Sequence, residues 1–314
     1  MLTFLSISST LFAVNLIECN KVDVKFVSYF YVQTGIDLLN IKQQTGIQAL
    51  TVAFALAQVG GSCTPSFNTV PVDSPVLVQQ FNNFRNSNGQ IILSTGGAIG
   101  TYLDNVCSNS DNLADAYIKA IQATGAVGLD LDIEQDIPYD MVMQAVKMVQ
   151  QQLIGLTVSI TVASNENGLG ARAKLVIQAA QRSGTTIDLV NTMAMDFPKS
   201  PLTPTYGQAV VNCAESVKHQ LQQYWPQKSS GQLYGMLGVT PMIGVNDCCD
   251  GALFTLNDSQ LLLQYARTNR IGRLSLWSLN RDKQCPGGSR QLSPTCSGIQ
   301  QSNYEFAKIL GQFK

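Results

Sequence analysis

The chain has 314 residues, 45% of them hydrophobic, enough to bury one large core or two modest ones. Only 13% of the residues are charged and the formal net charge is -1. No basic block or tail is present, which argues against nucleic acid or an anionic membrane surface as partner.

The opening stretch, MLTFLSISSTLFAVNLIECNK, is apolar but shorter than the ~20 residues a membrane-spanning helix needs, and Ser and Asn interrupt it. It reads as a secretory signal peptide over residues 1–19, cut near Cys19 or Asn20, although no Lys or Arg precedes its apolar part. A first strand or an interfacial helix of the mature chain is the alternative. No later run is long and apolar enough to span a bilayer. On this reading residues 20–314 form a secreted, extracellular protein.

Eight cysteines (Cys19, Cys63, Cys107, Cys213, Cys248, Cys249, Cys285 and Cys296) then point to disulfides. With no CxxC pair and a single histidine, His219, a zinc site has almost nothing to build on. If Cys19 leaves with the signal peptide, one of the remaining seven stays unpaired. Cys285 and Cys296 flank a short loop rich in Pro, Gly and Ser and are expected to bond; the other partners do not follow from sequence.

Along the chain, β-rich runs occur at 23–32, 49–58, 89–95, 126–134, 156–164, 186–195, 233–243 and 271–279. Helical spacing fills the gaps, at 74–87, 112–123, 138–153, 168–183, 258–268 and 302–312. Pro138 suits a first helical position and Gly184 a helix stop. Strand-then-helix alternation implies parallel strands joined by crossover helices, and eight such units fit a single (β/α)₈ barrel. Too few residues separate Asp247 from the strand at 271–279 to hold an inserted α+β domain.

In a barrel the chemistry gathers at the C-terminal ends of the strands. The fourth run, AVGLDLDIEQ, ends there with Asp130, Asp132 and Glu134. Side chains alternate faces along a strand, so these three acids point into the barrel while Leu129, Leu131 and Ile133 point to the helices. Like charges crowded in a confined interior cannot all ionise, and such a row suits shared protons and staggered pKa values. Three acids solvated at a strand end, or holding a magnesium or calcium ion, form the competing reading.

LDLDIE closely resembles the DxxDxDxE signature of glycoside hydrolase family 18, the chitinases and their relatives. Other segments resemble the family's motifs in the same order: STGG (Ser94–Gly97) on strand three, MAMDF (Met193–Phe197) on strand six, TPMIGVND (Thr240–Asp247) on strand seven and LWSLNRD (Leu276–Asp282) on strand eight. Two positions depart from the pattern. The first Asp of the signature is Val127, whose phase along the strand faces the helices and not the sugar. Met195 stands where many members carry a Tyr that binds the substrate's acetamido carbonyl.

The resemblance implies a substrate-assisted, retaining hydrolysis of β-1,4-linked N-acetylglucosamine in chitin or chitooligosaccharides. No metal or cofactor is expected, and the chain is expected to be a monomer. Glu134 would be the general acid, its pKa raised by burial and by the charge of Asp132. Asp132 would hold the acetamido N–H and stabilise the oxazolinium ion, Asp130 would share a proton or hydrogen bond with Asp132, and Asp196 would contact the same sugar or the attacking water. Trp277 would floor a pyranose ring, Tyr29 could play a similar part, and Met195 and Asn246 would reach substrate. A chitinase-like lectin and an endo-β-N-acetylglucosaminidase acting on N-glycans are the alternatives; lectins on this scaffold usually lack the acid that Glu134 supplies. Asn257-Asp258-Ser259 is a glycosylation sequon.

Overall fold

The computed structural model describes residues 17–19, 21–249 and 252–314. The expected signal peptide therefore lies almost wholly outside the described residues. Eight parallel strands follow in chain order: β1 (Ser28–Tyr31), β2 (Ala49–Gln58), β3 (Gln90–Gly96), β4 (Gly128–Ile133), β5 (Thr157–Asn165), β6 (Leu189–Met193), β7 (Leu237–Thr240) and β8 (Arg273–Leu274). Each is paired in parallel with the next. The ring closes on a thin seam: Phe26 bridges Leu274, with Leu274 N–H donating to Lys25 O at 2.8 Å and Val27 N–H to Leu274 O at 3.0 Å. The fold is the expected α/β barrel.

Six of the eight strands fall inside the segments read from sequence, β3 and β5 run one residue past theirs to Gly96 and Asn165, and for two of the shorter ones a local cause is visible. The run 233–243 yields strand only from Leu237, because Ser229 and Gln232 form a capping box that starts a short helix, Ser230–Gly235. Of the run 23–32, only Ser28–Tyr31 joins a ladder; the residues before it cross the bottom of the barrel, where Val22 and Val24 pack on Val27, Ala49 and Ile92.

The outer layer consists of α1 (Leu38–Thr45), α2 (Pro75–Asn86), α3 (Ser110–Thr124), α4 (Tyr139–Gln152), α5 (Ala171–Ser183), α6 (Tyr206–Tyr224), α7 (Leu256–Asn269) and α8 (Glu305–Leu310). Gly125 and Gly184 end α3 and α5 in the left-handed conformation, as their lack of a side chain allows. Helix α5 starts later than its pattern because Gly168–Leu169 folds back as an antiparallel pair on the end of β5. Between Asp247 and β8 the described residues form a two-residue strand, Leu253–Phe254, and α7, with no inserted domain.

One rim element escaped the periodicity. After β2 the chain turns into an antiparallel hairpin, Ser62–Phe67 with Val70–Pro71, standing above the barrel. Cys63 at its start is bonded to Cys107, in the segment after β3. Cys285 and Cys296 are bonded as expected, and the neighbours Cys248 and Cys249 are bonded to each other. Cys213 is buried and unpaired, and Cys19 is also free. No helix among the described residues is long and apolar enough to cross a membrane.

The apolar face of β4 anchors the layer contact. Leu129, Leu131 and Ile133 are buried in the same cluster as Val142 and Val146 of α4 and Ala120 of α3. Leu131→Ala, at a residue 1% exposed, should cost about 2–5 kcal/mol in urea unfolding. Leu202→Ala, at a residue 94% exposed, should change stability by less than about 0.5 kcal/mol in the same measurement.

Candidate active site

The inward face of β4 carries its acids at three different depths. Asp130 is the deepest, 1% exposed, and both of its oxygens are saturated by hydroxyls. Oδ2 accepts from Tyr29 of β1 and Ser94 of β3, each at 2.8 Å. Oδ1 accepts from Ser159 at 2.6 Å and Thr161 at 2.8 Å, both on β5. Asn191 of β6 donates through Nδ2 to Thr161 Oγ1 (3.0 Å) and Tyr29 Oη (3.2 Å), and its Oδ1 accepts from Thr240 of β7 at 2.9 Å. The expected hydrogen bond from Asp130 to Asp132 is absent from this arrangement: four donors already occupy the lone pairs of Asp130.

Asp132 sits one step higher and is treated differently. It is 4% exposed, and its buried Oδ1 has no hydrogen-bond partner. Burial, then the neighbouring charges of Glu134 and Asp130, push its pKa well above the usual carboxylate range. An orphaned, buried carboxyl oxygen is costly in a finished core but apt in a site that a ligand completes.

Glu134 stands at the strand's end, half-buried at the groove. Its pKa is pushed up to about 7 by burial first, then by the charges of Asp196 and Asp247, with Arg172 pulling the other way. The charges that assist burial thus come from across the groove. Tyr102, in the segment after β3, holds this end in place: its hydroxyl donates to Gly97 O at 2.6 Å and accepts from Glu134 N–H at 3.1 Å. Gly96, at φ 104°, lies so close to β4 that a Cβ would sit 1.9 Å from Asp132 O. Gly97 N–H donates to that same oxygen at 2.9 Å. The paired glycines let β3 run against the acid strand.

The groove above them, about 1450 Å³, is lined by Asp132, Glu134, Met195, Asp196, Tyr29 and Trp277 among others. Trp277 lines it, stacked on Phe54 (centroids 5.6 Å apart) with Tyr29 edge-on at 5.9 Å. Tyr29 therefore serves more as a support for Trp277 and a donor to Asp130 than as a second floor. Asp196 adopts φ 56° and accepts Asp247 N–H at 2.8 Å, which ties the ends of β6 and β7 together. Asp130 and Asn246 do not line the groove. Asn246 is buried, taking Asp196 N–H on Oδ1 and donating to Met242 O and Gly244 O. Its amide organises the loop that presents Asp196. Among the described residues no group of three or more His, Cys, Asp or Glu side chains is arranged around a metal position.

The sequence model of the glycosyl hydrolases family 18 matches residues 21–246. The chain belongs to that family. It is 30% identical to the active domain 2 of a chitinase from Pyrococcus furiosus, with a TM-score of 0.85 over 94% of this chain and 96% of that one. The same domain has been solved with chito-oligosaccharides. The Escherichia coli K12 protein named "Probable bifunctional chitinase/lysozyme" is 28% identical over 90% of this chain and 33% of its own length. "Endochitinase 11" of Metarhizium anisopliae is 27% identical over 81% of this chain and 51% of its own length. The chain thus spans about a third to a half of the curated relatives it matches.

Within this family-18 barrel, three contributors went unread in the sequence. Phe54 and Tyr102 carry no local motif. Arg281 lay inside LWSLNRD without a role: it is 2% exposed, and its guanidinium donates to Ser293 O (2.6 Å), Ile243 O (3.0 Å) and Val245 O (2.6 Å), holding two rim loops together.

The raised carboxyls have a thermodynamic signature. An acid whose folded pKa exceeds its unfolded one stabilises the fold only while protonated, and that contribution is lost as pH rises through the folded value. Glu134 therefore costs stability between its ordinary 4.5 and about 7. Glu134→Gln, which never ionises, should match the wild-type Tm near pH 4 and exceed it at pH 8. Equal Tm differences at both values would show that Glu134 titrates normally.

Proposed function

We propose that this chain is a secreted endo-acting chitinase that cleaves β-1,4-linked N-acetylglucosamine with retention, using the substrate's own acetamido group as nucleophile. The observation that carries the reading is the contrast along β4: a saturated Asp130, an Asp132 with an unpartnered oxygen, and a Glu134 protonated near neutrality, opening beneath an aromatic floor. The names of the relatives agree with a chitin-type substrate. The size of the groove exceeds the roughly 300–1,000 Å³ typical of small-ligand pockets and suits a chain of sugars held on both sides of the cut. Three disulfides support an oxidising, extracellular setting.

In the first step Glu134 gives its proton to the glycosidic oxygen as the bond to the anomeric carbon breaks. The acetamido oxygen of the same sugar forms a new bond to that carbon, giving an oxazolinium ion. Asp132 accepts the acetamido N–H on its empty Oδ1 and offsets the positive charge that develops. Glu134, now ionised, takes a proton from water, whose oxygen opens the ring from the face the leaving group left. Two inversions leave the product β. Met195 cannot hydrogen-bond the acetamido carbonyl, so Asp132 carries more of the substrate's orientation here than where a Tyr is present.

Glu134→Gln keeps shape and polarity but has no proton to donate. It should lower kcat on chitooligosaccharides by at least ~10²–10⁴-fold while leaving oligosaccharide binding within a few fold. Asp132→Asn should be similarly impaired. In the wild type the rate should fall as pH rises through about 7, the value to which Glu134 is pushed. Products from chitin oligomers and from a high-mannose glycoprotein, compared by mass spectrometry, test the substrate class. An α anomer formed first, seen by NMR, or an active Glu134→Gln would refute the mechanism.

A further inference from the structure

Beneath the acid row the barrel holds a buried cation to which no role has yet been given. Arg273, the first residue of β8, is 5% exposed, and its Nη1 donates to Ser159 Oγ at 3.3 Å. Ser159 Oγ in turn lies 2.6 Å from Asp130 Oδ1. No carboxylate lies within ion-pair distance of Arg273 among the described residues. A charge so deep is expensive unless the interior answers it.

Hydrogen-bond direction supplies the answer. A guanidinium has only donors. Ser159 Oγ must therefore accept from Arg273, and its one hydrogen is left for Asp130. Asn191 donates through Nδ2 to the hydroxyls of Thr161 and Tyr29, which also lie 2.8 Å from each other, so their two hydrogens are shared between that contact and Asp130. Arg273 thus turns the Ser159 hydroxyl toward Asp130.

We infer that Arg273 is a positioning residue that acts through Ser159, aiming that hydroxyl at Asp130 Oδ1 and so favouring the ionised form of the innermost acid of the row. The inference rests on the proposed hydrolysis for one of its readouts, not for the other. The charged and titratable groups facing the row are few. Tyr29 comes from β1, Arg273 from β8 and Asp188 from below. Asp188 Oδ2 accepts Val158 N–H at 2.8 Å, and its Oδ1 faces Lys21 Nζ at 3.4 Å. Above stand Asp196, Asp247, Arg172 and Tyr102 around Glu134. Strands β2, β3, β5, β6 and β7 contain only neutral residues.

Removing a positive charge makes a nearby carboxyl easier to protonate. In Arg273→Met the acid limb of kcat/KM on chitooligosaccharides should rise by on the order of one pH unit. Arg273→Lys, which keeps the charge, should restore most of that displacement. Ser159→Ala should shift the limb the same way by less, since one donor to Asp130 is lost while the cation remains. The fall of Tm with rising pH should move upward in parallel, and this needs no substrate. A merely structural Arg273 would lower Tm at all pH values and move neither midpoint. Midpoints unmoved in a folded Arg273→Met overturn the inference; if that variant does not fold, unmoved midpoints in Ser159→Ala do so. A wild type that cleaves no chitooligosaccharide would defeat the functional proposal alone, because the Tm titration still decides this one.

Discussion

Four hydroxyls converging on Asp130 are the interaction on which the site depends. A barrel interior offers little water, so a carboxylate placed there must be answered by protein donors or give up its charge. Here the donors come from β1, β3 and β5, with β6 and β7 held behind them through Asn191 and Thr240. Most of the barrel's strands are therefore committed to one side chain. The barrel interior at this level is polar, while the apolar residues of the same strands face the helices. That division leaves Asp132 as the next acid up with a vacant oxygen, and Glu134 as the one whose proton is accessible.

The same crowding explains the glycines of STGG. Gly96 brings β3 against the carbonyl of Asp132 at a distance no side chain would tolerate, and Gly97 places its N–H on that carbonyl. The backbone of the acid strand is thus clamped from one side, while Tyr102 holds the strand's end. Preorganisation of this kind lets a site stabilise developing charge without rearranging at the moment of reaction. Much of what looks like packing next to the groove serves to hold β4 still.

How much of this was readable in the sequence depends on whether the signal was local. The alternation in GLDLDI announced both a strand and its two faces, because a period of two is written in consecutive residues. The eight strands were recoverable for the same reason, as was the short loop between Cys285 and Cys296. The rim hairpin was missed because SCTPSF alternates poorly and contains a proline. Asn246 reads as a substrate contact because it lies in a motif; its burial and its bond to the Asp196 amide are not visible in one dimension. Arg273 was hidden more thoroughly. An arginine in a short strand gives no sign that it points inward, and its relation to Asp130 joins residues on opposite sides of the barrel.

All three disulfides lie on the face of the barrel that carries the groove, and among the described residues none ties a helix to the ring of strands. Cys63–Cys107 pins the hairpin after β2 to the segment after β3; Cys248–Cys249 follows β7; Cys285–Cys296 closes the loop after β8. The barrel itself rests on hydrogen-bonded ladders and apolar burial, which a reductant does not touch. Covalent reinforcement is spent on the rim, where apolar burial is scarce. In a thiol-rich compartment such a molecule would keep its scaffold and lose definition at the groove, so its activity would report on redox surroundings well before its folding did.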